Sequence, residues 1–171
     1  MINGGKALIF LLIITGILLV AADQLLKLWA ISALEPIGSV TVIENVFSLT
    51  YVENRGAAWG MLAGAKWYLI LMPIVIIIGV LAFLIIKKLK DPALLWACTL
   101  IITGGIGNLI DRVFRGFVVD YLHATFIDFP VFNLADCCIT IGAGLLILYV
   151  ILSEIKEHKE KKLGGDEDAV E

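Results

Sequence analysis

Histidine occurs twice in the 171 residues, cysteine three times, and charged side chains make up only 17% of the chain. Each scarcity removes a class of function. His123 and His158 cannot supply an H-E-x-x-H metal site, and no serine sits in a G-x-S-x-G elbow or opposite a usable histidine. Cys98, Cys137 and Cys138 lie inside apolar runs without C-x-x-C spacing, so they read as small core hydrophobes and not as a redox or zinc motif. No metal and no cofactor is expected. The net charge of −3 is small, and no basic stripe interleaved with aromatics is present, which sets aside a nucleic-acid partner.

What the chain has instead is apolar length. Hydrophobic residues make up 60% of it and the mean hydropathy is +0.99, whereas about half of a soluble domain is apolar. Four apolar stretches, Ala7 to about Leu34, Trp67 to Ile86, Ala93 to Ile110 and Leu134 to Leu152, each approach the ~20 residues that a spanning helix needs. Lys6, the apolar run to Val20 and Ala21-Ala22 could pass for a signal peptide. The run is long for that, however, and helical periodicity continues through Asp23, Leu26, Lys27 and Ala30. The expected fold is an all-α membrane protein with four transmembrane helices, a small outer β-cradle and a short surface helix.

Lysines mark one side of the membrane: Lys6, Lys87, Lys88 and Lys90, and Lys156, Lys159, Lys161 and Lys162. Positive charge is retained on the cytoplasmic side, so both termini and the middle turn are expected inside and the two long connections outside. Arg55, Lys66, Arg112, Arg115 and, near the end of helix one, Lys27 fall to the outer side, while Trp29, Trp67 and Tyr68 suit interfacial anchors. Ser39 to Tyr51 is rich in β-branched and aromatic residues and should form a β-hairpin, within an insertion over about 38–56. Residues 57–65 read as the short surface helix. Residues 1–153 form one domain. The charged tail, 154–171, ends Gly-Gly-Asp-Glu-Asp and is expected to fray into disorder.

Ionisable groups at hydrocarbon depth are expensive, so each is a functional candidate. Asp23 and Lys27, four apart, share a helical face and can neutralise each other; a structural ion pair is the simpler reading. Asn54, Arg55, Gly56, Ala57 and Ala58 follow the hairpin, where small residues allow close backbone approach or simply a turn. Gly104-Gly105-Ile106-Gly107 permits tight helix contact, and Asn108, Asp111 and Arg112 share one face. Asp120 interrupts the apolar Gly116-Phe-Val-Val, and Asp136 opens the fourth apolar stretch. Asn133 and Asp136 fit an N-cap and the acid three residues on. A cap does not explain a second carboxylate, Asp120, at the same depth. Two carboxylates sharing a site cannot both ionise readily, and a half-protonated pair is the machinery of an aspartic peptidase. The Gly-x-Gly-Asp of presenilin-type peptidases is absent.

Taken in order on the four apolar segments, several motifs resemble bacterial lipoprotein signal peptidase, the type II signal peptidase. They are Asp23 with Lys27, Asn54-Arg-Gly-Ala-Ala58, Gly107-Asn-Leu-Ile-Asp-Arg112, Val118-Val-Asp120 and Phe132-Asn-Leu-Ala-Asp136. The likeness leaves out only the first few residues and the tail. It implies an intramembrane aspartic endopeptidase of the bacterial cytoplasmic membrane that cuts diacylglyceryl-modified prolipoproteins just before the lipidated cysteine. Asp120 and Asp136 would be the catalytic pair. Asp23, Lys27, Asn54, Gly56, Asn108, Asp111, Arg112, Asn133 and Ala135 match supporting or substrate-binding positions. The resemblance also implies membrane lipid as surroundings, an active site near the outer face under a β-cradle, and inhibition by globomycin-type cyclic peptides. Trp59 departs from the smaller aromatic common in the family. A small proton- or ion-coupled transporter also uses intramembrane carboxylates, but commonly carries repeated halves, and no repeat is visible here. A non-catalytic scaffold would need no carboxylate pair.

Overall fold

In a computed structural model, residues 4–57, 61, 62, 64–86 and 90–167 are described, without the side chains of 157 and 159–167. Among the described residues, four helices are long and apolar enough to cross a membrane: α1 (Gly4–Ala33), α2 (Lys66–Ile86), α3 (Pro92–Phe114) and α4 (Leu134–Glu167), the last spanning as far as Lys156. Their outward surfaces carry large apolar side chains, among them Ile17, Leu25, Ile78 and Ile147, each at least 60% exposed. In water such a surface would be a gross liability; against lipid it is the expected one. Together with helix length, this makes the chain an integral membrane protein.

The helix α3 is the centre of the bundle and packs against the other three. It starts cleanly, because the Asp91 side chain accepts from the backbone N–H groups of Ala93 and Leu94 and Pro92 occupies the first turn. Glycine lets α4 approach. A Cβ on Gly104 would lie 2.2 Å from the Ala135 carbonyl oxygen, and one on Gly142 would lie 2.8 Å from the Ala97 oxygen. The end of α3 is set by Gly116, whose φ of 85° turns the chain out of the helix and into a strand.

Three antiparallel strands, β1 (Ser39–Ile43), β2 (Phe47–Asn54) and β3 (Val118–Ala124), form a sheet in that order. The expected hairpin is therefore present, with Asn45 at positive φ in its turn and β2 running on to Asn54. The third strand was not anticipated, since Phe117-Val-Val-Asp120 reads as an apolar stretch without alternation. Val118, Val119, Asp120 and Tyr121 are all buried, so the strand is covered on both faces and shows no period of two. Val119 and Tyr121 pack with Ala30 and Leu34 at the end of α1, which seats the sheet on the bundle.

Residues 58–60 and 63 of the expected surface helix, including Trp59, lie outside the described residues; Met61, Leu62 and Gly64 are in turns. Helical backbone in α4 continues to Glu167, well past Leu152, and 168–171 lie outside the described residues. Lys27 is wholly buried at 0% exposure.

Candidate active site

The site is assembled by a short return of the chain beside β3. The Phe132 carbonyl accepts from Tyr121 and Leu122 N–H at 3.0 and 2.8 Å, and Phe132 N–H donates back to Leu122 at 2.9 Å. This bridge places Asn133, and with it the start of α4, against Asp120. Asn133 then caps α4 reciprocally: Asp136 N–H donates to Asn133 Oδ1 at 3.0 Å, and Asn133 N–H donates to Asp136 Oδ2 at 3.1 Å.

Three asparagine amides surround the two carboxylates. Asn133 Nδ2 donates to Asp120 Oδ1 at 2.6 Å, Asn54 Nδ2 to Asp120 Oδ2 at 3.0 Å, and Asn108 Nδ2 to Asp136 Oδ1 at 2.7 Å. The orientation of each amide is decided by a group that can only donate. Asn54 Oδ1 accepts from Gly56 N–H at 3.0 Å, Asn133 Oδ1 from Asp136 N–H, and Asn108 Oδ1 from the Lys27 ammonium at 2.9 Å. All three therefore turn their NH2 ends toward the carboxylates. Asp120 is 1% exposed, and burial first, then the neighbouring Asp136 charge, pushes its carboxyl up to about 7.

Beneath lies a second network whose centre, Asp23, Lys27 and Asp111, is buried. Lys27 pairs with Asp23 at 2.9 Å and with Asp111 at 3.2 Å. Asp23 Oδ1 also accepts from Ala135 N–H at 3.0 Å, in the first turn of α4, and Asp111 Oδ2 from Val119 N–H at 3.0 Å, next to Asp120. Gly107 makes room for Asp23, since a Cβ there would lie 2.7 Å from its carboxylate. Gln24 and Arg115 complete the network: Gln24 donates to the Gly107 carbonyl at 3.1 Å, and Arg115 bonds both Gln24 and Asp111. Sequence reasoning passed over these two. The signal was there for Gln24, a polar residue beside Asp23 on an otherwise apolar helix.

Of the residues singled out from sequence, Asp23, Lys27, Asn54, Gly56, Asn108, Asp111, Asn133, Ala135 and both aspartates belong to this connected set. Arg112 reaches it by donating to the Gly56 carbonyl at 3.2 Å, while its Nε is buried without a partner among the described residues. Arg55 instead pairs with exposed Glu53. Among the described residues no three histidine, cysteine or acidic side chains form a metal-holding group.

A cleft of about 410 Å³ opens onto both carboxylates, with Asn54, Asn108 and Arg112 as its polar wall and Ile76, Ile77, Ile101 and Ile139 among its apolar residues. Such a cleft can hold an extended, largely apolar ligand against two carboxylates.

The signal peptidase (SPase) II family matches residues 15–152. The lipoprotein signal peptidase of Clostridioides difficile is 42% identical over 151 residues, covering 88% of this chain and all of that protein. That of Latilactobacillus sakei is 40% identical over 149 residues, covering 86% of this chain and 98% of that protein. A solved bacterial membrane enzyme, 34% identical, superposes with a TM-score of 0.80 over 85% of this chain and 90% of its own. With four spanning helices, one antiparallel sheet and this likeness along nearly its whole length, the chain belongs to the signal peptidase II family.

Proposed function

We propose that the chain is a lipoprotein signal peptidase that works as an aspartic endopeptidase, with Asp120 and Asp136 as its acid and base. The observation that carries this reading is the ring of three oriented amides, each pointing donors at a pair of carboxylates that share one cleft. A structural cap would need only Asn133 and Asp136.

Asp120, held near 7 by burial and by its neighbour, carries the proton. Asp136 sits in the first turn of α4, where backbone N–H groups and the helix dipole favour the anion. In the reaction, Asp136 takes a proton from a water whose oxygen bonds to the scissile carbonyl carbon, while Asp120 gives its proton to the carbonyl oxygen. The tetrahedral diol then collapses. Its C–N bond breaks, the proton on Asp136 passes to the leaving nitrogen, and a hydroxyl proton returns to Asp120, restoring both groups. Arg112 lines the cleft beside both carboxylates and brings a guanidinium to the substrate there.

The substrate is a diacylglyceryl-modified prolipoprotein cut just before the lipidated cysteine, and the isoleucine-rich wall of the cleft suits its apolar segment. A blocked cyclic peptide of the globomycin type would occupy the same cleft. The protein resides in the bacterial cytoplasmic membrane, with Lys6, Lys90 and Lys156 on the cytoplasmic side and the sheet and cleft near the outer face.

The test is product analysis. Purified chain in detergent is expected to release an intact signal peptide from the lipidated precursor, with the cut before the cysteine by mass, and to leave the unlipidated precursor at least tenfold slower. Cleavage elsewhere, or equal rates on both precursors, contradicts the substrate assignment.

A further inference from the structure

The Lys27 ammonium is 0% exposed and has three acceptors: Asp23 at 2.9 Å, Asp111 at 3.2 Å and Asn108 Oδ1 at 2.9 Å. Two carboxylates already balance its charge. The contact to Asn108, a neutral amide, does something else. It places a full positive charge on the carbonyl end of an amide whose other end donates to Asp136 Oδ1 at 2.7 Å. Donors in series polarise one another, so the ammonium strengthens the Asn108 N–H as a donor to Asp136. Asn133 Nδ2 also reaches Asn108 Oδ1, at 3.1 Å, but it is a neutral donor shared with Asp120.

We infer that Lys27 is a positioning residue for the reaction: acting through Asn108, it fixes Asp136 as the ionised member of the pair. No atom of Lys27 lines the cleft. Other charges bear on Asp136 as well. Asp120 on β3, Asp23 on α1 and Arg112 on α3 are the charged groups that face it, and α2 contributes only apolar side chains to this cleft, Pro73, Ile76 and Ile77. Among these, the Lys27–Asn108 relay is the one that ends in a hydrogen bond to a carboxylate oxygen of Asp136 from α3. The inference deepens the aspartic-peptidase reading and rests on it.

The experiment removes the relay without changing net charge. In Lys27→Met with Asp23→Asn, one positive and one negative group disappear together, and an amide at position 23 can still accept from Ala135 N–H. The acidic limb of the pH profile of kcat/KM, set by the group that must be ionised, is expected to move up by about one unit. Asn108→Ser keeps both Lys27 ion pairs and should move the same limb similarly. With all three changes combined, the shift should not exceed that of either variant alone, because both break one path. An unmoved limb in folded Asn108→Ser, or shifts that add in full, overturns the inference. Its failure is separable from that of the reading beneath it. If Asp120→Asn and Asp136→Asn still cleave, the aspartic mechanism itself is wrong. If they are inactive and the limb stays put, only the role of Lys27 is.

Discussion

At the scale of single residues, the proposed mechanism makes the carboxyl of Asp120 the group that controls the alkaline side of the reaction. Its ordinary value lies near 4, and burial with the Asp136 charge raises it to about 7. The proton that the proposed mechanism has Asp120 donate is therefore present below about 7 and lost as the pH rises through that value. Cleavage should fall about tenfold per pH unit on the alkaline limb, and kcat/KM measured from pH 5 to 9 checks it; a rate that climbs through pH 7 to 9 contradicts Asp120 as the acid. Asn133 serves two tasks, so Asn133→Ala should cost about 1 kcal/mol of stability through the lost cap and, separately, most of the activity through the lost donor to Asp120. Thermal unfolding and turnover read these apart. Lys27, Asn108 and Asp136 were legible in sequence because polar residues stand out in apolar helices, Asp120 because it interrupts an apolar run, and Asn54 and Asn133 through the motifs they share with the family. Which amide end faces which carboxylate was not, because it depends on the donors that meet each amide oxygen in the folded chain: Gly56 N–H at Asn54, Asp136 N–H at Asn133 and, from α1, the Lys27 ammonium at Asn108.

At the scale of elements, the close approach of α3 and α4 decides where Asp136 sits. Gly104 lies against the Ala135 backbone, and a Cβ there has no room to yield, since the nearest atom is a carbonyl oxygen at 2.2 Å. Gly104→Ala is expected to destabilise by about 1–3 kcal/mol, the range for overpacking, and to depress cleavage by displacing the start of α4. Gly79→Ala, with nothing within 4 Å of the added Cβ, should be nearly neutral. Thermal melts in detergent of the two variants provide the comparison; equal melting temperatures contradict the packing account. All four helices were legible from length and hydropathy, since a spanning segment must be both long and apolar. The strand β3 was not. It is buried on both faces, and pairing with β2 across a register shift between Leu49 and Val52, not local pattern, makes it a strand.

At the scale of the whole molecule, the buried charged groups Asp23, Lys27, Asp111 and Asp120 are gathered where α1, α3 and β3 meet, while large apolar side chains are exposed along the helices. The lysine-rich ends predict a sidedness that labelling can check. A cysteine introduced at Glu44, in the exposed turn between β1 and β2, should react with an impermeant maleimide in intact cells, and one at Lys6 only after the membrane is opened. The reverse pattern inverts the orientation. That arrangement also separates a peptidase from a proton-coupled transporter, which needs its carboxylates on a path through the membrane. The most direct measurement is turnover of a lipidated precursor by the intact chain in detergent, with Asp120→Asn and Asp136→Asn each compared with wild type. Both variants should keep their helical content and melting transition while losing at least about a thousandfold in turnover, the scale expected when an acid or base of a concerted pair is removed. Near-normal cleavage by either folded variant contradicts the account.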